Sequence, residues 1–299
     1  MRQMDLLRQQ LSDRDIYVLE DIERFRLLTT SQIRRLYFTT GHQTVAAGTR
    51  ACTRVLQRLR SHGLISTLTR RVGGVRQGSD SLTWQLAATG ERLLRHLHQR
   101  PYRRRYREPS LHFIEHTLAV ASLGVLLREA GARNAVEVVD LAVEGHAHRP
   151  FVGAGGAREV VKPDLLAITA TDDFEQHWMI EADRGTEHDP HLGRKLSAYH
   201  RYYDTGRYQA KHGLFPSVLW VVPDPRRAGR LRELIAADAA YPPDLFEICT
   251  YAEFADFVVA KTVGVESVPL PGILETTISR HAATPAQPAQ IHDRTCPQM

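Results

Sequence analysis

The sequence predicts a mixed α/β protein in two parts: a helical N-terminal module of the winged helix-turn-helix kind and a following α/β domain. Three observations lead there. Apolar residues recur at helical spacing in three short segments that end on a glycine-interrupted hairpin. Charge is divided between the two parts. Beyond residue 110 the periodicity runs helix, three strands, helix, strand, which is the alternation of an α/β layer structure.

The first part is basic. Residues 1–110 hold 21 arginines, no lysine and 9 acids, a local balance of +12, whereas the remaining chain balances to −7 and the whole to +5. Charge separated this way suggests a module for a polyanion joined to a domain with other work. Arginine's planar fork favours phosphate and guanine contacts, so the expected partner is double-stranded DNA. Ser12 and Asp15 form a capping-box-like start for a helix over residues 13–26, carried by Ile16, Leu19, Ile22 and Phe25. Thr29 with Gln32 opens a second helix that ends near Gly41. A third runs over residues 45–62 and stops at Gly63. Its apolar stripe is Ala51, Val55, Leu56 and Leu59, and Arg50, Arg54, Gln57 and Arg58 form the opposite stripe. Segments 64–69 and 82–87 read as the strands of a wing, with Arg70, Arg71 and Arg76 in or beside its loop. In a winged helix the third helix enters the major groove, so Arg50, Arg54, Gln57, Arg58, Arg70, Arg71 and Arg76 are the expected DNA contacts. A fourth helix opens at Thr89-Gly90-Glu91. The expected division is a DNA-binding domain over 1–100, a basic proline-bounded linker over 101–109, an α/β domain over 110–265 and a disordered tail over 266–299.

The second part carries the chemistry. A helix is expected over 111–130, ended by Gly131, with strands over 136–143, 164–169, 178–183 and 218–222 and a helix over 189–203 opened by Asp189-Pro190. Glu181 and Asp183 lie two apart on one strand and share a face. A turn about Asp172-Asp173 sets Asp164 across from Glu181 and Lys162 across from Asp183, gathering Asp164, Glu181 and Asp183 on one patch. Such carboxylates repel unless a cation joins them, and hard oxygen ligands suit Mg²⁺ or Mn²⁺. Lys195 interrupts the apolar stripe Leu192, Leu196, Tyr199 and Tyr203, and a buried ammonium needs a partner that the patch supplies. A metal-activated water with Lys195 opposing phosphoryl charge is the chemistry this pattern points to; an acid-lined solvated hairpin is the alternative. No apolar run reaches the length of a membrane span, the N-terminus lacks a signal core, and the three cysteines show no CxxC spacing. A cytoplasmic location is expected, and the oligomeric state is open, a homodimer being one option.

The stretches RDIYVLEDIERFRLLTTSQIRRLYF, RVLQRLRSHGLI, VKPDLLAI, WMIEADRGTE and RKLSAYHRYY, taken together, resemble the replication-relaxation family over about residues 10–260. The resemblance implies a protein of a plasmid or other mobile element, acting in replication or DNA relaxation, with an N-terminal module that binds DNA. The second half also resembles the restriction-endonuclease-like fold, whose motif is proline-aspartate, then an acid, a spacer and a lysine. Pro163-Asp164 and Glu181 match, while Asp183 stands where the lysine belongs. Some members carry that lysine on the next helix, where Lys195 lies, and Glu115 matches an auxiliary acid. The resemblance implies Asp164, Glu181 and Lys195 as catalytic residues of a metal-dependent DNA endonuclease, or a non-catalytic regulator on a degenerate nuclease fold. A competing pattern, His112-Phe113-Ile114-Glu115-His116, matches the HxxEH signature of zinc hydrolases, with Glu181 as a distant third ligand.

Overall fold

The computed structural model describes residues 2–68, 82–101, 110–133 and 136–264. The first part contains α1 (Arg2–Gln9), α2 (Asp13–Phe25), β1 (Leu28–Thr29), α3 (Thr30–Tyr37), α4 (Val45–Ser61), β2 (Ile65–Thr67), β3 (Thr83–Leu86) and α5 (Ala88–Leu97). Both expected capping boxes form: Ser12 and Asp15 exchange hydrogen bonds at the start of α2, Thr29 and Gln32 at the start of α3. Gly63 adopts φ 67° just past α4, and the chain turns there into β2. Strands β2 and β3 pair antiparallel with Ile65 opposite Leu86. The sequence reading lacked α1 and the two-residue β1, which pairs with the other edge of β3 through Leu28 and Trp84. A strand of two residues has no period to be read. Arg70, Arg71 and Arg76, the linker's residues 102–109 and the tail from 265 onward lie outside the described residues.

The second part contains α6 (Leu111–Arg133), β4 (Glu137–Val143), β5 (Arg149–Val152), β6 (Arg158–Val161), β7 (Leu165–Ala170), β8 (Glu175–Ala182), α7 (Asp189–Asp204), α8 (Arg207–His212), β9 (Ser217–Val222), α9 (Pro225–Ala236), β10 (Phe246–Thr250) and α10 (Phe254–Val263). Five strands form a mixed sheet in the order β10-β9-β8-β7-β4, antiparallel on the β4 side and parallel from β8 to β10. The expected helix, three strands, helix, strand is present as α6, β4, β7, β8, α7 and β9. A separate two-stranded ribbon, β5–β6, is inserted between β4 and β7, in a segment for which the sequence reading has no strand.

Three expectations need correction. The first concerns α6, which does not end at Gly131 but continues to Arg133. A Cβ at Gly131 would lie 3.1 Å from the Val136 carbonyl oxygen, so this glycine admits the close return of the chain towards β4. The second concerns length and apolarity. Over its 23 residues α6 is long and apolar enough to cross a bilayer by those two measures alone, with a window hydropathy of 1.2. Here it serves as the central core helix, its buried residues including Ile114, Val120, Leu123, Val125 and Leu127. The third is the start of α7: Asp189, expected as the N-cap before Pro190, is the first helical residue, the N-cap position falls on His188, which makes no side-chain capping bond, and the Asp189 carboxylate binds Arg230 of α9.

The residues from Met1 to Glu266 form one compact unit, and the two parts share an apolar core. It runs from Val18, Leu19, Ile22 and Phe25 of α2 through Val120, Leu123 and Leu127 of α6 to Leu165, Trp178 and Ile180 of the sheet. The opposite sheet face, with Leu166, Met179, Val218 and Trp220, builds a second core against Leu192, Leu196 and Tyr199 of α7. Gly124 lets α6 approach α2. A Cβ there would stand 2.5 Å from two atoms of the buried Phe25 ring. Gly124→Ala is therefore expected to lower stability by about 1–3 kcal/mol, the usual cost of overpacking a core. Urea midpoints of the two proteins check this, and an unchanged midpoint would show that α2 and α6 are not so closely apposed.

Candidate functional site

The register of the hairpin positions the site. Partners in β7 and β8 follow the expected rule, Leu165 opposite Ile180 and Leu166 opposite Met179, so Asp164, one residue before β7, lies at the level of Glu181. Residues 178, 180 and 182 face the core shared with α6, while 179 faces α7. Alternation then sends Glu181 towards α7. Asp164 is fixed by two contacts: its Oδ2 accepts from the Ala182 backbone N–H at 2.9 Å, and its Oδ1 lies 3.0 Å from His116 Nε2 on α6.

Glu181 is only 2% exposed. The Tyr199 hydroxyl donates to its Oε1 at 2.5 Å and Lys195 Nζ donates to its Oε2 at 2.9 Å. Lys195 also donates to Glu187 at 2.9 Å and stands 5.6 Å from the centre of the Trp220 ring. The partner that the lysine required is therefore present, contributed by β8 and by the loop before α7. Burial, and after it the Asp164 charge, push the Glu181 carboxyl up to about 7, against the opposing pull of Lys195 and the Tyr199 hydrogen bond. Burial alone would lower Lys195, but the charges of Glu181, Asp164 and Glu187 outweigh it and raise the ammonium above its ordinary value. The hydrogen bond with Asp164 raises His116. The cluster thus favours the charged forms of Lys195 and His116 and the protonated form of Glu181.

Asp183 does not join this cluster. Its carboxylate accepts from Arg227 of α9 at 2.6 Å and from the Gly185 N–H at 2.6 Å. Lys162 does not meet it, because β8 ends at Ala182 and the chain at Val161 pairs instead with Arg149 of the ribbon. Among the described residues no three histidine, cysteine, aspartate or glutamate side chains converge as metal ligands. The HxxEH residues separate as well: His116 turns to Asp164, Glu115 binds Arg184, and His112 is exposed. The sequence reading missed Tyr199 and His116 as members of the site. Tyr199 was readable as the residue four after Lys195, one turn along the same helix face.

On α4, Arg50, Arg54, Gln57 and Arg58 are exposed, opposite the buried Gly48, Cys52, Leu56 and Leu59. They are not equivalent. Arg58 donates to both oxygens of the buried Asp15 at 2.7 Å, which ties α4 to the start of α2. Arg50 and Arg54 form no ion pair among the described residues.

The molecule is thus a mixed α/β protein in which a basic helical module shares its core with a sheet, and Asp164 before β7, Glu181 of β8 and Lys195 of α7 gather at the ends of two of its strands. The model of the replication-relaxation family matches residues 19–218, from within α2 to the start of β9. The chain belongs to the replication-relaxation family. No curated protein and no solved structure matches it.

Proposed function

We propose that this chain is a DNA-binding protein of a plasmid or other mobile element, acting in replication or DNA relaxation, and that its α/β part is a restriction-endonuclease-like domain with a phosphodiester-hydrolysing centre. The α1–α5 and hairpin module is read as a winged helix-turn-helix, with Arg50, Arg54 and Gln57 of α4 meeting DNA. The observation that carries the catalytic reading is the 2.9 Å contact of Lys195 with Glu181, whose register neighbour is Asp164. It supplies from α7 the cation that Asp183, just past β8, cannot supply.

The donor set suits Mg²⁺ or Mn²⁺, which is bound by one or two carboxylates together with substrate phosphate and water. Asp164 and Glu181 would hold it; Asp183, engaged by Arg227, is left out. A bound ion of this kind acidifies water and withdraws charge from the phosphate. Lys195 then opposes the charge that develops on the phosphoryl oxygens. His116 and the Ala182 N–H keep Asp164 oriented, and Tyr199 does the same for Glu181. A second reading, a DNA-binding regulator that does not cleave, is favoured by the burial of Glu181 and by the hydrogen bonds that already occupy both its oxygens.

Supercoiled plasmid incubated with the protein and Mg²⁺ or Mn²⁺ separates them. The expected result is nicking that Glu181→Gln and Lys195→Ala both abolish. Intact plasmid with either metal, from protein that still binds DNA, leaves the regulator. The shared premise has its own test in the salt dependence of duplex binding. Each phosphate contact contributes about one unit to the slope of log K against log salt, so Arg50→Ala with Arg54→Ala is expected to flatten it by about two. A slope unchanged by both substitutions removes α4 from the DNA interface.

A further inference from the structure

Asp164 forms part of the wall of a second feature, a cavity of about 410 Å³ between the end of α2, the start of α6, the end of β4 and the Lys162-Pro163-Asp164 loop. Its volume falls in the small-molecule range. Phe25, Phe113, Val120, Val143 and Pro163 make it apolar, and Arg26, His148 and Lys162 lie among them. The Arg26 guanidinium stands over the Phe113 ring at 5.6 Å, a planar π-bearing wall of the kind on which bases stack. Lys162 is exposed and has no acidic partner among the described residues. Thr117 is 5% exposed, lines the cavity, and its hydroxyl has no hydrogen-bond partner among the described residues.

The backbone supplies a second sign. Among the described residues only three other than glycine have positive φ, and two of them, Arg26 at 62° and Glu144 at 49°, line this cavity and bind each other across it. Such conformations cost of order 1 kcal/mol or more and cluster where ligands are held. His148 adds to the character of the site: its burial, with the charges of Lys162 and Arg149, keeps it below the ordinary histidine value.

From these observations we propose that the cavity receives a single nucleotide unstacked from the DNA strand, its base against Phe113 and Arg26 and its phosphate beside Lys162. The proposal rests on the DNA-acting reading above and names the form of the substrate: an unpaired or flipped nucleotide, brought next to Asp164. Unpaired bases are the ones an enzyme can lift out at small cost. A pocket that joins apolar walls, an arginine over an aromatic ring, and a lysine and a buried hydroxyl with no partner among the described residues matches a base, sugar and phosphate better than a bare anion or a lipid chain.

The test is titration of the full chain with deoxyadenosine monophosphate in EDTA, followed by calorimetry, with deoxyadenosine and inorganic phosphate as separate arms. The expected result is saturable binding of the nucleotide, tighter than either fragment. Phe113→Ala should weaken it about tenfold, in line with the loss of one base stack, and Lys162→Ala should remove its advantage over the nucleoside. Phe113→Leu, which keeps the apolar volume, guards against a folding defect and should weaken binding similarly. Absence of nucleotide binding, or equal affinity in wild type and all three variants, overturns the proposal, as does phosphate binding as tightly as the nucleotide. Metal and duplex DNA are both absent, so failure here leaves the nicking and salt experiments intact. Nucleotide binding without duplex binding would instead overturn the DNA-binding reading, and with it the DNA strand as the source of the nucleotide.

Discussion

Arg128→Ala is expected to lower the free energy of unfolding by about 3 kcal/mol or more, the cost of stripping the partner from a buried charge. Asp21 of α2 is buried, and the guanidinium of Arg128, from α6, grips both its oxygens. The Tyr37 hydroxyl also binds Asp21, while Arg24 is more distant at 3.7 Å. Without Arg128 the carboxylate stays in the interior with a phenol and one remote cation. Asp21→Asn combined with Arg128→Met removes both charges together and is expected to recover much of the loss. Arg35, which binds the partly exposed Glu129 on the same helix, provides the contrast: Arg35→Ala should cost about 1 kcal/mol or less. Urea unfolding of the four proteins reads this directly. Equal losses for Arg128→Ala and Arg35→Ala would mean that the contact between α2 and α6 is not organised around Asp21.

The second large effect is a pH dependence with an unusual sign. Burial and the Asp164 charge raise the Glu181 carboxyl from 4.5 to about 7. An acid whose pKa is higher in the folded protein holds its proton more tightly there than in the unfolded chain. Its contribution is complete below pH 4.5 and is lost as pH rises through about 7. In EDTA, the stability of the wild type relative to Glu181→Gln is therefore expected to fall by on the order of 3 kcal/mol across that window and then to level off. Lys195→Ala removes a cation that favours the ionised carboxyl, so the fall should extend to higher pH. If wild type and Glu181→Gln give parallel curves from pH 4.5 to 8, Glu181 is not titrating in this range. The same property bears on the proposed chemistry, because a carboxyl poised near neutrality is a metal ligand only once its proton has left.

Much of this molecule was legible locally. Both capping boxes, the span of α4, the glycine that ends it and the β7–β8 register follow from spacing and from side chains that hydrogen-bond their own neighbours. The pairing of Lys195 was legible too, since an ammonium on an apolar helix face has to find an acid. Gly131 was misread because a glycine that admits a close approach looks, in sequence, like one that ends a helix.

Charge could be read by position along the chain but not by partner. Asp164, Glu181 and Asp183 look alike in sequence, and the fold divides them: His116 takes the first, Lys195 and Tyr199 the second, and Arg227, forty-four residues away, the third. Arg58 looks like its neighbours on α4 until Asp15 claims it. The sequence by itself determined α2 to α7 and the strands β2, β3, β4, β7, β8 and β9, though not α1, β1, the β5–β6 ribbon or the elements α8, α9, β10 and α10, because caps, periodicity and turns act between residues a few positions apart. Only the tertiary structure decided which acids share a cation, that the two parts share one core, and that a cavity opens beside Asp164, because these depend on side chains that meet only when distant segments pack.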